Sequence, residues 1–338
     1  MTIKYALHLN NIERMRGAYP SPDTIRLNSA ERTSEIPQII WNKYIDSLRE
    51  TDIRYYPDID HAINVIAKHT QQRAEYITLG HGSDSLIKNA FEVFAKDTIG
   101  YTNIVIPDPC FVMYNIYADM MKCSVNKVAY KDKKFDVQGT IDAINIDTSL
   151  VVLSNPNSPI GDSISIPDLL SIIKKAAECK CVVLIDEAYI EFSSVESFVS
   201  RAHLHDNVIV TRTFSKAVGA AGIRFGYAVA NSRIIELLNK VKNMYEITGP
   251  TLKWIETIVD NWGMVEVYVN QIKAKRSILA HELEKDYNVL SSECNWIHTT
   301  KTDFDDSITT RQCKLPWDDR IWTRLCIPAD RYTLERLV

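Results

Sequence analysis

The chain has 338 residues, enough to bury a large core and to divide into a larger and a smaller domain. With 46% hydrophobic and 24% charged residues its composition is that of an ordinary globular protein, and no apolar run approaches the ~18 residues that span a bilayer. A net charge of -4 gives a nucleic-acid partner no electrostatic support.

In chain order, the N-terminal stretch MTIKYALHLNNIERMRG has no apolar h-region and no small-residue cleavage site, so no secretory signal is expected. Residues 1–28 read as irregular, with Pro20 and Pro22 marking loops. From Gln38 to Arg49 the apolar residues Ile39, Ile40, Tyr44, Ile45 and Leu48 form a helical stripe. The run Ile53–Asp58, with Tyr55, Tyr56 and Pro57, reads as an aromatic turn before the next helix. Ile77–Ile87 reads as strand, glycine turn and helix, with Leu86, Ile87, Ala90, Phe91 and Phe94 on one face. Ser83 is placed to cap that helix, whose N-terminal N–H groups offer themselves to an anion.

Asn103–Pro107 predicts another strand, followed by the turn Asp108–Tyr114, which carries Phe111. Leu150–Leu153 predicts a buried strand that opens into the loop Ser154–Gly161. Ser165 then caps a helix with Pro167 in its first turn; Ile166, Leu169, Leu170, Ile173, Ala176 and Ala177 form its stripe. The next apolar run, from Cys181, ends in Asp186. A carboxylate at the C-terminal edge of such a strand sits where α/β sheets bind ligands. Buried without a partner it is costly, so Asp186 should meet a cation. Cys179-x-Cys181 has no matching second pair. Seven cysteines without framework spacing read as free thiols in a reducing cytoplasm.

The segment Asn207–Ala230, NVIVTRTFSKAVGAAGIRFGYAVA, organises the rest. Val208–Val210 suits a buried strand, and Phe225–Ala230 a second one. Between them lie Thr211, Thr213, Ser215, Lys216 and Arg224 among small residues. Hydroxyls and a guanidinium bind phosphate, and small residues allow close backbone approach. A lone lysine here would read as solvated. Thr213-x-x-Lys216 with Ser215 and Arg224, in the wider pattern TFSKAVGAAGIRFGY, resembles the lysine signature of fold-type I pyridoxal-phosphate enzymes, and within them the histidinol-phosphate aminotransferase group.

The resemblance implies that Lys216 is the Schiff-base lysine and that Thr213, Ser215 and Arg224 hold the phosphate of pyridoxal 5'-phosphate (PLP). It extends to other segments. Gly82-Ser83-Asp84 is similar to the family's phosphate-binding G-S-D, which carries over Ser83 and Asp84. Phe111 matches the aromatic residue stacked on the pyridine ring. Asp186, in the run VVLIDEAY, matches the carboxylate that pairs with the ring nitrogen, and Tyr189 reaches the 3-hydroxyl. The loop SNPNSPIG resembles N-P-N-N-P-T-G but places Ser158 where the family has the asparagine that supports the 3-hydroxyl; Ser158 keeps that bond directly or through a water, or Asn157 takes it. Tyr56 matches the tyrosine that reaches the phosphate in the partner subunit, which implies a homodimer.

Beyond Ala230 the pattern turns helical: Ile234, Ile235, Leu238 and Val241 share one side, and Thr251 to about Asp286 reads as long helix with Trp254, Ile255, Ile258 and Val259 in the core. Thr323–Pro328 resembles the family strand whose arginine grips the substrate carboxylate, which makes Arg324 the substrate residue. Leu27–Thr33 and the short C-terminus depart from the family pattern. The expected fold is α/β, the fold-type I PLP-dependent transferase fold: a mostly parallel sheet flanked by helices, with a small α+β domain. Residues 1–50 are expected to serve the small domain and dimer contacts, 51–245 to form the large domain and 246–338 the small one. The expected activity is amino-group transfer between an amino acid or amino-phosphate compound and a 2-oxo acid, with Lys216, Asp186 and Tyr189 catalytic. The alternatives are a decarboxylase of an O-phospho-amino acid on the same scaffold, and a catalytically silent relative.

Overall fold

The computed structural model describes residues 6–13, 24–95 and 103–338; the two expected loop prolines, Pro20 and Pro22, lie outside them. A seven-stranded sheet runs, edge to edge, through Ile77–Gly80, Gly226–Ala230, Val208–Thr213, Val182–Asp186, Thr148–Ser154, Asn103–Asp108 and Ser124–Ala129. The five strands from Val208–Thr213 to Ser124–Ala129 are parallel; Gly226–Ala230 is antiparallel to both its neighbours. Val182–Ile185 and Val208–Val210 are buried throughout, as continuous apolar strands covered on both faces must be. The fold class is the expected one.

The chain passes from Asn103–Asp108 outward to Ser124–Ala129, then returns across it to Thr148–Ser154 and continues the other way. This reversal opens a crevice at the carboxyl ends of the strands, where open α/β sheets bind ligands. The register places Ser154 opposite Asp186, and Asp186 opposite Thr211.

A second, antiparallel sheet orders Arg311–Leu315, Asp318–Cys326, Trp296–Thr299 and Val289–Leu290. The N-terminal segment is stitched to it. Ile25–Arg26 pairs with Ile308–Thr309, the Cys326 amide donates to the Leu27 carbonyl at 3.1 Å, and the Asn295 side chain donates to the Ala30 carbonyl at 3.3 Å.

Several local expectations change. The first stripe forms the helix Gln38–Ser47, but only Ile40 and Tyr44 are buried; Ile39 is 61% exposed. Ile172 lies in the core of the helix Ile166–Glu178, whereas Leu170 is exposed. The long helical stretch is two helices, Gly249–Val259 and Gly263–Leu283. Thr248 caps the first, and the turn between them is held by Asn261, which donates to the Thr257 carbonyl and accepts from Lys43, both at 2.7 Å. A Cβ on Gly249 would stand 1.9 Å from the Asp52 carbonyl, so only glycine lets this helix meet Thr51–Arg54 so closely. Gly249–Val259 also packs on Gln38–Ser47 and Ile59–Thr70. We therefore place the division between the two bodies within Gly263–Leu283 rather than at residue 246. Among the described residues, no helix is long and apolar enough to cross a membrane.

Candidate active site

The strand ends bring most of the sequence-predicted residues to one cavity of about 290 Å³, walled by Ser83, Asp84, Phe111, Ser158, Asp186, Tyr189, Thr213, Ser215, Lys216 and Arg224, with Ser29 and Glu31 from the N-terminal segment. Asp186 forms its floor. The residue is 4% exposed, and its carboxylate accepts from the Tyr114 hydroxyl at 2.8 Å and the Thr211 hydroxyl at 3.3 Å. No cation pairs with it among the described residues. Burial pushes its carboxyl up to about 6; the two hydroxyl donors limit the rise, and the nearby Asp84 charge adds to it. Sequence reasoning assigned no role to Tyr114 and counted Thr211 among the hydroxyls of an anion cradle, whereas its hydroxyl turns to Asp186. Tyr114 stands three residues after Phe111, one helical turn on, and its ring meets the Phe111 ring edge-on with centroids 5.5 Å apart. Thr211, a hydroxyl inside an apolar strand, was the available signal for the other.

One end of the cavity is an anion cup. The helix Gly82–Ala90 begins there with no side-chain cap. His81, not Ser83, holds the N-cap position, so the expected Ser83 cap does not form and the first N–H groups remain available. Gly82 has φ +76°, and a Cβ on it would come within 2.6 Å of Arg224 Nη2. Arg224 itself sits at φ +56° and donates to Ser215 Oγ at 3.3 Å, the Ala221 carbonyl at 3.1 Å and the His81 carbonyl at 3.4 Å. It meets no carboxylate at ion-pair distance among the described residues. Thr213 Oγ1 donates to Ser215 Oγ at 3.0 Å and accepts from the Ser215 amide at 3.1 Å. Asp84 lines the cavity, but its carboxylate is engaged by the Tyr117 hydroxyl at 2.7 Å.

Lys216 leaves the turn after Val208–Thr213. Its Nζ donates to the Ser29 carbonyl at 3.2 Å and lies 5.4 Å from the centre of the Tyr189 ring. Tyr189 is held edge-on against Trp296, with centroids 4.6 Å apart. The two loop candidates are placed differently. Asn157 turns away from the cavity: its amide donates to the Pro109 carbonyl at 3.1 Å and to the Tyr130 hydroxyl, which in turn donates to Asp162 at 2.6 Å. Ser158 is the residue on the wall. Asn157 does not line this cavity.

A second chamber, about 320 Å³, shares Ser29, Phe111, Ser158, Tyr189 and Lys216 with the first. Its far side carries Arg324 and a residue the sequence reading missed, Arg311. The two are direct cross-strand partners, so their side chains emerge on one face. Arg324 is 6% exposed; its Nη2 donates to the Asn28 carbonyl at 2.8 Å, its guanidinium lies 5.0 Å from the Trp296 ring centre, and its Nε has no acceptor. No acid pairs with either arginine among the described residues. Tyr56 lines neither chamber. It is 76% exposed and stacks on Tyr245 at 4.0 Å, with Ile53, Tyr55 and Met244 exposed in the adjoining stretches of chain.

These donors fit the PLP implied by the lysine motif. The cup offers hydroxyls, free N–H groups and an unpaired guanidinium to a phosphate, the buried Asp186 lacks a cation, and Lys216 stands between the cup and the second chamber.

Comparisons with known proteins agree. The family described as aminotransferase class I and II matches residues 22–313. The chain is 32% identical over 295 residues to the histidinol-phosphate aminotransferase of Methanocaldococcus jannaschii, covering 85% of this chain and 77% of that one. The histidinol-phosphate aminotransferase of Sinorhizobium meliloti, solved in complex with pyridoxal-5'-phosphate, superposes with a TM-score of 0.81 at 19% identity, covering 92% of this chain and 88% of that one. The L-threonine-O-3-phosphate decarboxylase of Porphyromonas gingivalis also superposes, with a TM-score of 0.78 at 15% identity, over 92% of this chain and 96% of that one. The shared fold therefore does not separate the two reactions.

Proposed function

The chain belongs to the aminotransferase class I and II family of PLP-dependent enzymes, and from that premise we propose that its amino donor is a phosphomonoester such as histidinol phosphate, with a 2-oxo acid as acceptor. One observation carries this reading: Arg311 and Arg324 face the second chamber side by side without an acid between them. Two adjacent guanidiniums repel unless an anion joins them, and a phosphate dianion matches them better than a single carboxylate. The names of the relatives agree with this choice.

The cofactor supplies an electron sink for the bond broken at the substrate Cα. Thr213, Ser215, Arg224 and the N–H groups at Gly82–Ser83 would hold the phosphate. Phe111 would cover one ring face, and Ser158 and Tyr189 would reach the 3-hydroxyl. Asp186, kept in place by Tyr114 and Thr211, would hold the proton on the ring nitrogen. Lys216 would hold the cofactor through its Nζ and, as a free amine, would move a proton to and from the substrate Cα.

Arg324→Met is expected to raise the KM for histidinol phosphate about 10- to 100-fold, since a hydrogen-bonded charged group contributes about 1.5–3 kcal/mol, while the cofactor spectrum stays unchanged. An unaltered KM, or release of CO₂ from an O-phospho-amino acid without consumption of the 2-oxo acid, would overturn the reading.

We place the protein in the cytoplasm, because its seven cysteines show no disulfide-framework spacing. We propose in addition that it is a homodimer in which Tyr56 crosses to the partner's phosphate cup. The exposed apolar face around Tyr56 supports this. Sedimentation should give a dimer at micromolar concentration. Tyr56→Ala should weaken cofactor retention several-fold without unfolding the chain; a fully active monomer would refute the arrangement.

A further inference from the structure

His298 sits in the row of the small sheet that carries the two arginines. Arg311, Arg324 and His298 are successive cross-strand partners, so all three side chains stand on one face. His298 is fully buried, and neither ring nitrogen has a hydrogen-bond partner. Directly opposite it, Arg324 has an equally buried Nε–H with no acceptor. A donor and an acceptor left unmade on facing positions of one strand pair are costly separately and complementary together. Each lacks what the other holds.

We propose that His298 is a positioning residue for substrate binding: its ring accepts the Nε–H of Arg324 when an anion enters the second chamber, turning both Nη groups toward that anion. This rests on the reading of the chamber as an anion site. Arg324 now spends Nη2 on the Asn28 carbonyl, a bond an incoming phosphate must replace. A guanidinium held at Nε by a side chain behind it presents its two Nη groups as a fork, the geometry that binds oxyanions through paired bonds. His298 can fill this place only as a neutral ring. Burial, with the Arg324 charge adding to it, holds its pKa down at about 3, so the acceptor lone pair persists at every working pH.

The test uses the holoenzyme, whose first cup is filled by the cofactor, titrated calorimetrically with inorganic phosphate and assayed with histidinol phosphate. His298→Leu keeps the site apolar and removes the acceptor; it should weaken phosphate binding and raise KM about five- to tenfold with kcat unchanged. His298→Gln restores an acceptor and should lie within twofold of the parent. Equal losses in both variants, or no loss in His298→Leu, overturn the proposal. Arg324→Met separates the two readings. If it weakens phosphate binding and His298→Leu does not, the role of His298 alone fails; if it leaves phosphate affinity intact, the anion site fails and the role of His298 with it. Should His298→Leu not fold, His298→Gln decides: affinity within twofold supports the role, and a loss equal to that of Arg324→Met refutes it.

Discussion

Lys216→Ala is expected to abolish the borohydride-reducible link between protein and cofactor and to remove measurable transamination. Two effects combine. The variant lacks the amine proposed to form the link and to move the proton at Cα. The proton-transfer role alone is worth roughly 10²- to 10⁴-fold in rate. The cup of Thr213, Ser215 and Arg224 does not depend on the lysine: its hydrogen bonds run among those residues and to the backbone. The variant should therefore still bind the cofactor, reversibly, as dialysis and absorbance would show. A variant that retains a reducible link, or more than a few per cent of activity, sinks the assignment of Lys216.

The second large effect is expected at Asp186. Asp186→Asn keeps the shape and removes the charge proposed to hold a proton on the ring nitrogen. Loss of one preorganised electrostatic group costs roughly 10²- to 10³-fold in kcat. The same substitution has a readout that needs no cofactor. In the folded chain the carboxyl titrates at about 6, above its ordinary 3.8. A raised folded pKa means that the protonated form favours folding: its contribution is fully present below about 4 and is lost as pH rises through about 6. At neutral pH the ionised carboxylate thus costs the cofactor-free protein up to about 3 kcal/mol. Asp186→Asn should raise the melting temperature of cofactor-free protein at pH 8 and change it little at pH 4. On the proposed role, a cationic ring would meet this buried charge in the loaded enzyme. Near-parental kcat, or a cofactor-free variant less stable than the parent at pH 8, would count against this role.

Much of the site was readable because its parts are short-range. Thr213, Ser215, Lys216 and Arg224 lie on one strand-turn-strand unit, where spacing alone brings hydroxyls, amine and guanidinium together. Asp186 was readable because an apolar run must be a buried strand, and a carboxylate at its end must then face the crevice. The mostly parallel sheet was expected from the resemblance to fold-type I PLP-dependent enzymes.

What the sequence could not hold is whatever depends on register or on distant partners. Tyr114 reaches Asp186 across 72 residues, and Lys216 leans on Ser29 across 187. Arg311 joins Arg324, and His298 stands behind it, only because the strands pair at one offset; a shift of one residue would send these side chains to the other face. Asn157 and Ser158 are adjacent and both polar, so their pattern was symmetric; Tyr130, Asp162 and the Pro109 carbonyl draw the longer side chain out of the cavity and leave the serine on its wall. The break after Val259 has the same origin: the local sequence reads as helix, and long-range bonding of Asn261 to Lys43 helps hold it open. Local spacing determines which chemical groups a segment offers; the packing of distant segments decides which way each group points.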